Sequence, residues 1–238
     1  MEQRRFRQAE VQETILVLQS LNDGYGQQIQ QNNSRSEGQF LASFTNRLEF
    51  TTLIMGGHSF GATLALQVLG DSTIPVKAGL LFDPGKSSGP LNSDFNRPVL
   101  ISDSEAWSAQ SADFYGRQHF DVVKGIAQSA LNKTSFSWFM TLLGTSHTSI
   151  TDAPLLVGPL LSFFDPTSSN VSLGKPDTNI QQYFKVSVEF IEFLRNKTRS
   201  NILASKVTAP NFLPINLNAS NAEGVFDGWE IHVAPSDE

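Results

Sequence analysis

Apolar positions along this chain fall into two rhythms, short unbroken runs and helix-spaced stripes, and the two alternate. Over residues 3–21, Val11, Ile15, Leu18 and Leu21 recur at helical spacing while Arg, Gln and Glu dominate the other positions, which predicts an amphipathic helix. Leu16 and Val17 lie off that stripe, so this helix is expected to be contacted on more than one face. Residues 22–38 are polar, Gln/Asn-rich and aperiodic, and read as a flexible surface loop. A short helical turn is expected at 40–44. The runs 50–56, 76–82, 97–103 and 136–143 have strand length, with Pro98 near the start of the third, where proline is tolerated. Helices are expected over 60–69, around 120–131, and over 178–197, where Ile180, Phe184, Val188, Ile191 and Leu194 share one face.

Strands alternating with helices imply a mostly parallel sheet flanked by helices, an α/β fold. Functional groups then gather at the carboxyl ends of the strands. The chain of 238 residues divides into one domain over 1–200 and an Asn- and Pro-rich peripheral tail over 201–238.

The stretch Leu53–Leu66 (LIMGGHSFGATLAL) reads as strand, sharp turn and helix, and within it Gly57, Ser59 and Gly61 fill the pattern G-x-S-x-G. In a nucleophile elbow of this kind the serine is pushed into the open on a cramped turn. Small residues are needed because a side chain at Gly57 or Gly61 is expected to collide with the neighbouring strand or helix. The backbone N–H of Phe60, at the start of the helix, is a candidate oxyanion donor.

A serine nucleophile needs a base and an acid that orients the base. Of the four histidines, His58 lies inside the elbow and is expected to point into structure, His119 opens a polar helix and His232 falls in the tail. His147 alone follows a strand in a small-residue loop, GTSHTS, and is the candidate base. Two aspartates follow strands between Ser59 and His147. Asp83 precedes Pro84-Gly85 and would emerge rigidly at the sheet edge, whereas Asp103 ends the next strand, the position most α/β-hydrolases use. Physical reasoning alone leaves these two near even.

Composition narrows the alternatives. A net charge of −6 and a pI near 5.2, without a basic stripe, argue against a nucleic-acid partner. There are no cysteines, which excludes disulfides and thiolate metal sites. Sequons at Asn32, Asn132, Asn170, Asn196 and Asn218 point weakly to a secretory route, although the charged start Met1–Arg7 does not have the form of a signal peptide. No apolar run is long enough to span a bilayer; the longest, 153–164, is broken by Pro154 and Pro159 and is a candidate for peripheral lipid contact.

The motifs GHSFGA (57–62), LLFDP (80–84), PVLISDSEAW (98–107) and GTSHTSITD (144–152) occur in order and resemble the platelet-activating factor acetylhydrolases, in the plasma and type-II branch with its fungal relatives. The resemblance covers about residues 1–200 and implies an α/β-hydrolase fold. It makes Ser59 the nucleophile, His147 the base and Asp83, rather than Asp103, the acid. It also implies calcium-independent removal of short or oxidised sn-2 acyl groups from phospholipids, with no metal and no cofactor. In that family several strands precede the elbow and one carries the oxyanion loop. Here one helix and a polar loop precede it, so the early strands are expected to be missing, the chain reads as N-terminally truncated, and a second oxyanion donor has no candidate. Two other readings stay open: a general carboxylesterase or polyester hydrolase on the same scaffold, and a catalytically impaired fragment that binds lipid or a partner through the apolar strand 50–56.

Overall fold

The computed structural model describes residues 2–35, 37–157, 174–212 and 228–236. A five-stranded sheet runs through its centre in the order β1 (Leu53–His58), β2 (Val76–Phe82), β3 (Val99–Ser104), β6 (Ser137–Leu142) and β7 (Trp229–Val233). The first three pairings are parallel and only β7 runs antiparallel, against β6. β3 and β6 are buried at every position and, Asp103 apart, read as apolar or small-residue runs. This is the mostly parallel, helix-flanked sheet expected from the alternating pattern.

Side chains alternate across the pleat into two cores. Val99, Ile101 and Phe139 face α3 (Phe60–Gly70) and α5 (His119–Thr134), with α1 (Glu2–Ser20) resting its Val11 and Ile15 against the same cluster. Leu100, Trp138 and Met140 face the opposite way, onto α7 (Pro176–Asn196). Two small helices, α4 (Glu105–Ala109) and α6 (Ala153–Val157), and a two-residue hairpin, β4 (Asp113–Phe114) with β5 (Arg117–Gln118), decorate the carboxyl end. Among the described residues no helix is long and apolar enough to cross a membrane.

Four expectations need correction. Residues 22–38 are not a structureless loop. A π-type turn at Leu21–Tyr25, kinked at Gly24, leads into α2 (Gly26–Asn32), whose Gln residues are adequate helix formers and which seats against the turn Leu41–Phe44. Leu16 and Val17 are exposed, so the second contacted face expected of α1 is not found among the described residues.

The predicted peripheral tail contains the fifth strand. Trp229–Val233 is buried throughout, because pairing with β6 satisfies its backbone and lets Trp229 and Ile231 join the α7 core. Finally, α7 buries only part of the predicted face: Leu194 is in the core. Phe184, Val188 and Ile191 are exposed while Tyr183, Val186, Phe190 and Phe193 face the sheet. This helix carries two apolar stripes, and the aromatic one meets Trp138 and Trp229 edge-on. In the segment 153–164, Leu155 and Leu156 of α6 are exposed, and residues 158–164 lie outside the described residues.

Candidate active site

The elbow forms where β1 ends and α3 begins. Ser59 sits between them at φ 58°, ψ −119°, a left-handed backbone that an L-residue adopts only under tertiary constraint. The constraint is visible on both sides. The Ser59 N–H donates to the Phe82 carbonyl of β2 at 3.0 Å, and the Ser59 carbonyl accepts from the N–H groups of Ala62 and Thr63.

The two motif glycines differ. A Cβ on Gly57 would lie 2.2 Å from the Gly61 carbonyl oxygen, whereas one on Gly61 would meet nothing described within 4 Å. The expected collision therefore applies to Gly57, the point where β1 crosses closest to the first turn of α3, and does not apply to Gly61. As first-turn residues of α3, Phe60 and Gly61 have N–H groups with no intrahelical acceptor.

Asp83 directly follows β2 and turns out of the sheet at φ 46°. Its carboxylate is nearly buried and doubly held by Ser104, the last residue of β3: the Ser104 N–H donates to Oδ1 at 2.6 Å and the hydroxyl to Oδ2 at 2.8 Å. The turn after it is tied back to the nucleophile helix, since the Gly85 N–H donates to the Thr63 hydroxyl at 3.1 Å.

His147 lies in the loop after β6. That loop is held by buried groups on both flanks. The Gly144 N–H donates to the Glu105 carboxylate at 2.6 Å, the Ala106 N–H to the Thr145 carbonyl at 3.1 Å, and the Asn179 amide to the Gly144 carbonyl at 3.2 Å. Burial pushes the Glu105 carboxyl up, opposed by the hydrogen bond from Gly144.

These three elements bring Ser59, His147 and Asp83 together. His147 Nδ1 is 2.9 Å from Asp83 Oδ2, and Nε2 is 2.9 Å from Ser59 Oγ. An ionised carboxylate only accepts, so Nδ1–H donates to Asp83 and the lone pair of Nε2 is left to face the serine hydroxyl. The arrangement can draw a proton from Ser59 and hold the resulting imidazolium against a fixed anion.

Asp103 takes no part in that chain. It lies within β3, wholly buried, and among the described residues neither carboxyl oxygen has a hydrogen-bond partner. Burial first, and then the neighbouring Asp83 charge, push its carboxyl well above the ordinary range, with Lys86 acting in the opposite sense.

The remaining histidines are placed differently from expectation. The His58 ring does not simply turn into structure; it approaches the His147 ring to 4.4 Å between centroids. His119 is buried at the start of α5, and burial lowers it to about 4. His232 belongs to β7 and is also buried and lowered to about 4; its ring bonds the Thr141 hydroxyl and the Ala209 carbonyl. Among the described residues, His58, Asp83 and His147 form the one group with metal-ligand chemistry, their ligand atoms within 4.8 Å of one another. Two of these three are already bonded to each other through Nδ1–Asp83, and His147 also reaches Ser59 through Nε2.

Sequence reasoning missed Lys86, Ser104, Glu105 and Trp107. The last three lie inside the motif PVLISDSEAW, and Lys86 lies two residues past LLFDP. Their roles depend on which loops α4 bridges, and nothing in local spacing announces that.

The elbow, the Ser59–His147–Asp83 contacts and the mostly parallel sheet are features of the α/β-hydrolase fold. Residues 1–202 match the family described as platelet-activating factor acetylhydrolase, isoform II, and the chain belongs to that family. Among solved structures it is similar to a ferulic acid esterase from Streptomyces cinnamoneus, with 16% identity and a TM-score of 0.49. That likeness covers 80% of this chain and 52% of the esterase, so the chain spans about half the length of that structure. A search of curated proteins finds no match.

Proposed function

We propose that this chain is a carboxylic ester hydrolase in which Ser59 attacks the acyl carbon, His147 moves the proton and Asp83 orients His147. The observation that carries this reading is the continuous chain Ser59–His147–Asp83, both links at 2.9 Å, mounted on a strained elbow. In the first step the serine O–H proton passes to Nε2 as the Oγ–carbon bond forms. The oxyanion develops beside the start of α3, where the Phe60 N–H donates to it. Collapse breaks the ester C–O bond, the leaving oxygen takes the proton from Nε2, and Ser59 remains acylated. Water deprotonated by His147 then releases the carboxylic acid and restores the hydroxyl.

Family membership supports a phospholipid with a short or oxidised sn-2 acyl group as substrate, yielding a lysophospholipid and the free acid. Contact with a lipid surface through α6 is supported by Leu155 and Leu156, exposed shortly after the His147 loop.

The test is fluorophosphonate labelling of the purified chain beside Ser59→Ala, followed by hydrolysis of phosphatidylcholines carrying acetyl or long sn-2 chains and of simple aryl esters. Labelling lost in the variant, with acetyl strongly preferred over long chains, is the expected result. Folded wild-type protein that does not label overturns the esterase reading. Turnover of aryl esters without any on phospholipids would make this a general carboxylesterase instead.

A further inference from the structure

The His147 imidazole has a large neighbour that the relay does not use. The Trp107 indole lies parallel to it, with ring centroids 4.0 Å and planes 11° apart. Trp107 is only half-buried, and three contacts set its place. Its Nε1–H donates to the Pro84 carbonyl at 3.0 Å, immediately after Asp83. Its own carbonyl accepts from Lys86 Nζ at 2.6 Å, and that ammonium stands 4.5 Å from the indole centroid. The preceding residue, Ala106, donates its N–H to the Thr145 carbonyl in the His147 loop. Trp107 is thus fastened to the turn that carries the acid and to the loop that carries the base.

We propose that Trp107 is a positioning residue, whose indole holds the His147 imidazole in the plane that faces Ser59 and stabilises the ring when it is protonated. This rests on the reading of Ser59, His147 and Asp83 as the catalytic relay. Two physical effects act together. Parallel stacking removes freedom about the imidazole's terminal torsion, a broad and weakly restrained angle for histidine, so the Nε2 lone pair stays aimed at the serine hydroxyl. The indole face also attracts a cation, so the imidazolium formed in the attack gains stabilisation that neutral imidazole does not. A tryptophan present only to fill a core would be expected to sit deep in it, as Trp138 and Trp229 do at 1% exposure or less. Trp107 instead remains partly open, its face against the base and its N–H beside the acid.

The test compares wild type, Trp107→Phe and Trp107→Leu. Each is checked by Tm and measured for kcat and KM on a soluble acetyl ester. His147 ring protons are assigned by NMR against a His147→Gln control. Trp107→Leu is expected to lower kcat about tenfold with KM changed less than about twofold, and Trp107→Phe, which keeps an aromatic face, to recover most of the loss. The wild-type His147 ring protons are expected upfield, shifted by the indole ring current, less so in the Phe variant and not in the Leu variant.

Unchanged kcat in a folded Leu variant, equal losses in both variants, or wild-type ring protons at ordinary positions would each overturn the positioning role. If Trp107→Leu does not fold, the Phe variant decides: kcat lowered to the Leu level expected above overturns the role, and near-wild-type kcat with a reduced ring-current shift supports it. Wild-type protein that neither labels nor turns over overturns the esterase reading and this role with it. Normal labelling with indifference to Trp107→Leu overturns only this role.

Discussion

The carboxyl ends of β2 and β3 each carry an aspartate, one strand apart, and the two are handled in opposite ways. Asp83 follows the last residue of its strand and leaves the sheet through a left-handed turn, so its carboxylate meets both Ser104 and His147. Asp103 is still inside its strand, paired in the sheet with Thr141, and among the described residues its enclosed side chain has no hydrogen-bond partner. Two residues' difference in where a strand ends separates an oriented carboxylate from a buried acid that favours its proton. A carboxylate is useful here only if something compensates its burial, and two donors from Ser104 do that for Asp83 alone.

The sharpest way to break this contrast is to neutralise each aspartate in turn. Asp83→Asn presents an amide to Nδ1, favours the wrong tautomer of His147 and is expected to lower kcat/KM by roughly 10³–10⁴ with the fold retained. Asp103→Asn, in the same assay, is expected to stay within about threefold of wild type. Comparable losses in both would return the acid to the open choice between them.

A second pair in the elbow gives the next largest effect. Gly57→Ala drives a Cβ into the Gly61 backbone and is expected to cost about 3 kcal/mol in denaturant unfolding, while Gly61→Ala in open space is expected to cost less than about 0.5 kcal/mol. Equal costs would mean that the elbow is not tightest where β1 passes α3.

Ser104→Ala removes one of the two hydrogen bonds that fix Asp83 and leaves the backbone donor in place. A fall in kcat of about tenfold is expected, read most cleanly from the labelling rate, which needs no choice of substrate.

The smallest expected effect is in stability against pH. The folded-state pKa of Asp103 is raised by burial and by Asp83, so the folded chain binds this proton more tightly than the unfolded chain does. The contribution is therefore most favourable below the ordinary value of 3.8 and is lost as pH rises above it. Asp103→Asn should accordingly melt a few degrees higher than wild type at pH 7, with the gap closing towards pH 4. A variant that melts lower at pH 7 would show that the buried carboxyl is satisfied after all.

Much of this architecture is legible in the order of residues. Strand length, helix period and the G-x-S-x-G turn are local properties, set by side-chain alternation and by backbone sterics within a few residues. They located β1, α3, β2, β3, α5 and β6 to within a few residues, and with them the strand ends where Ser59, Asp83 and His147 lie. Other features depend on what packs against what. Period alone could not decide which of two apolar stripes α7 buries, because both repeat at 3.6 residues and only the wall of Trp138 and Trp229 selects Tyr183, Phe190 and Phe193. Nor could it find β7, a five-residue strand far along the chain whose pairing exists only once β6 offers a free edge. The choice between Asp83 and Asp103 belongs to the same class. Both follow apolar runs, and spacing cannot tell which carboxylate will be met by donors from a neighbouring strand and which will be sealed in. The sequence by itself determined the elements and the ends at which chemistry gathers. Tertiary structure decided which face was buried, which aspartate was oriented and which aromatic lay against the histidine, because each depends on contacts between residues that only the fold brings together.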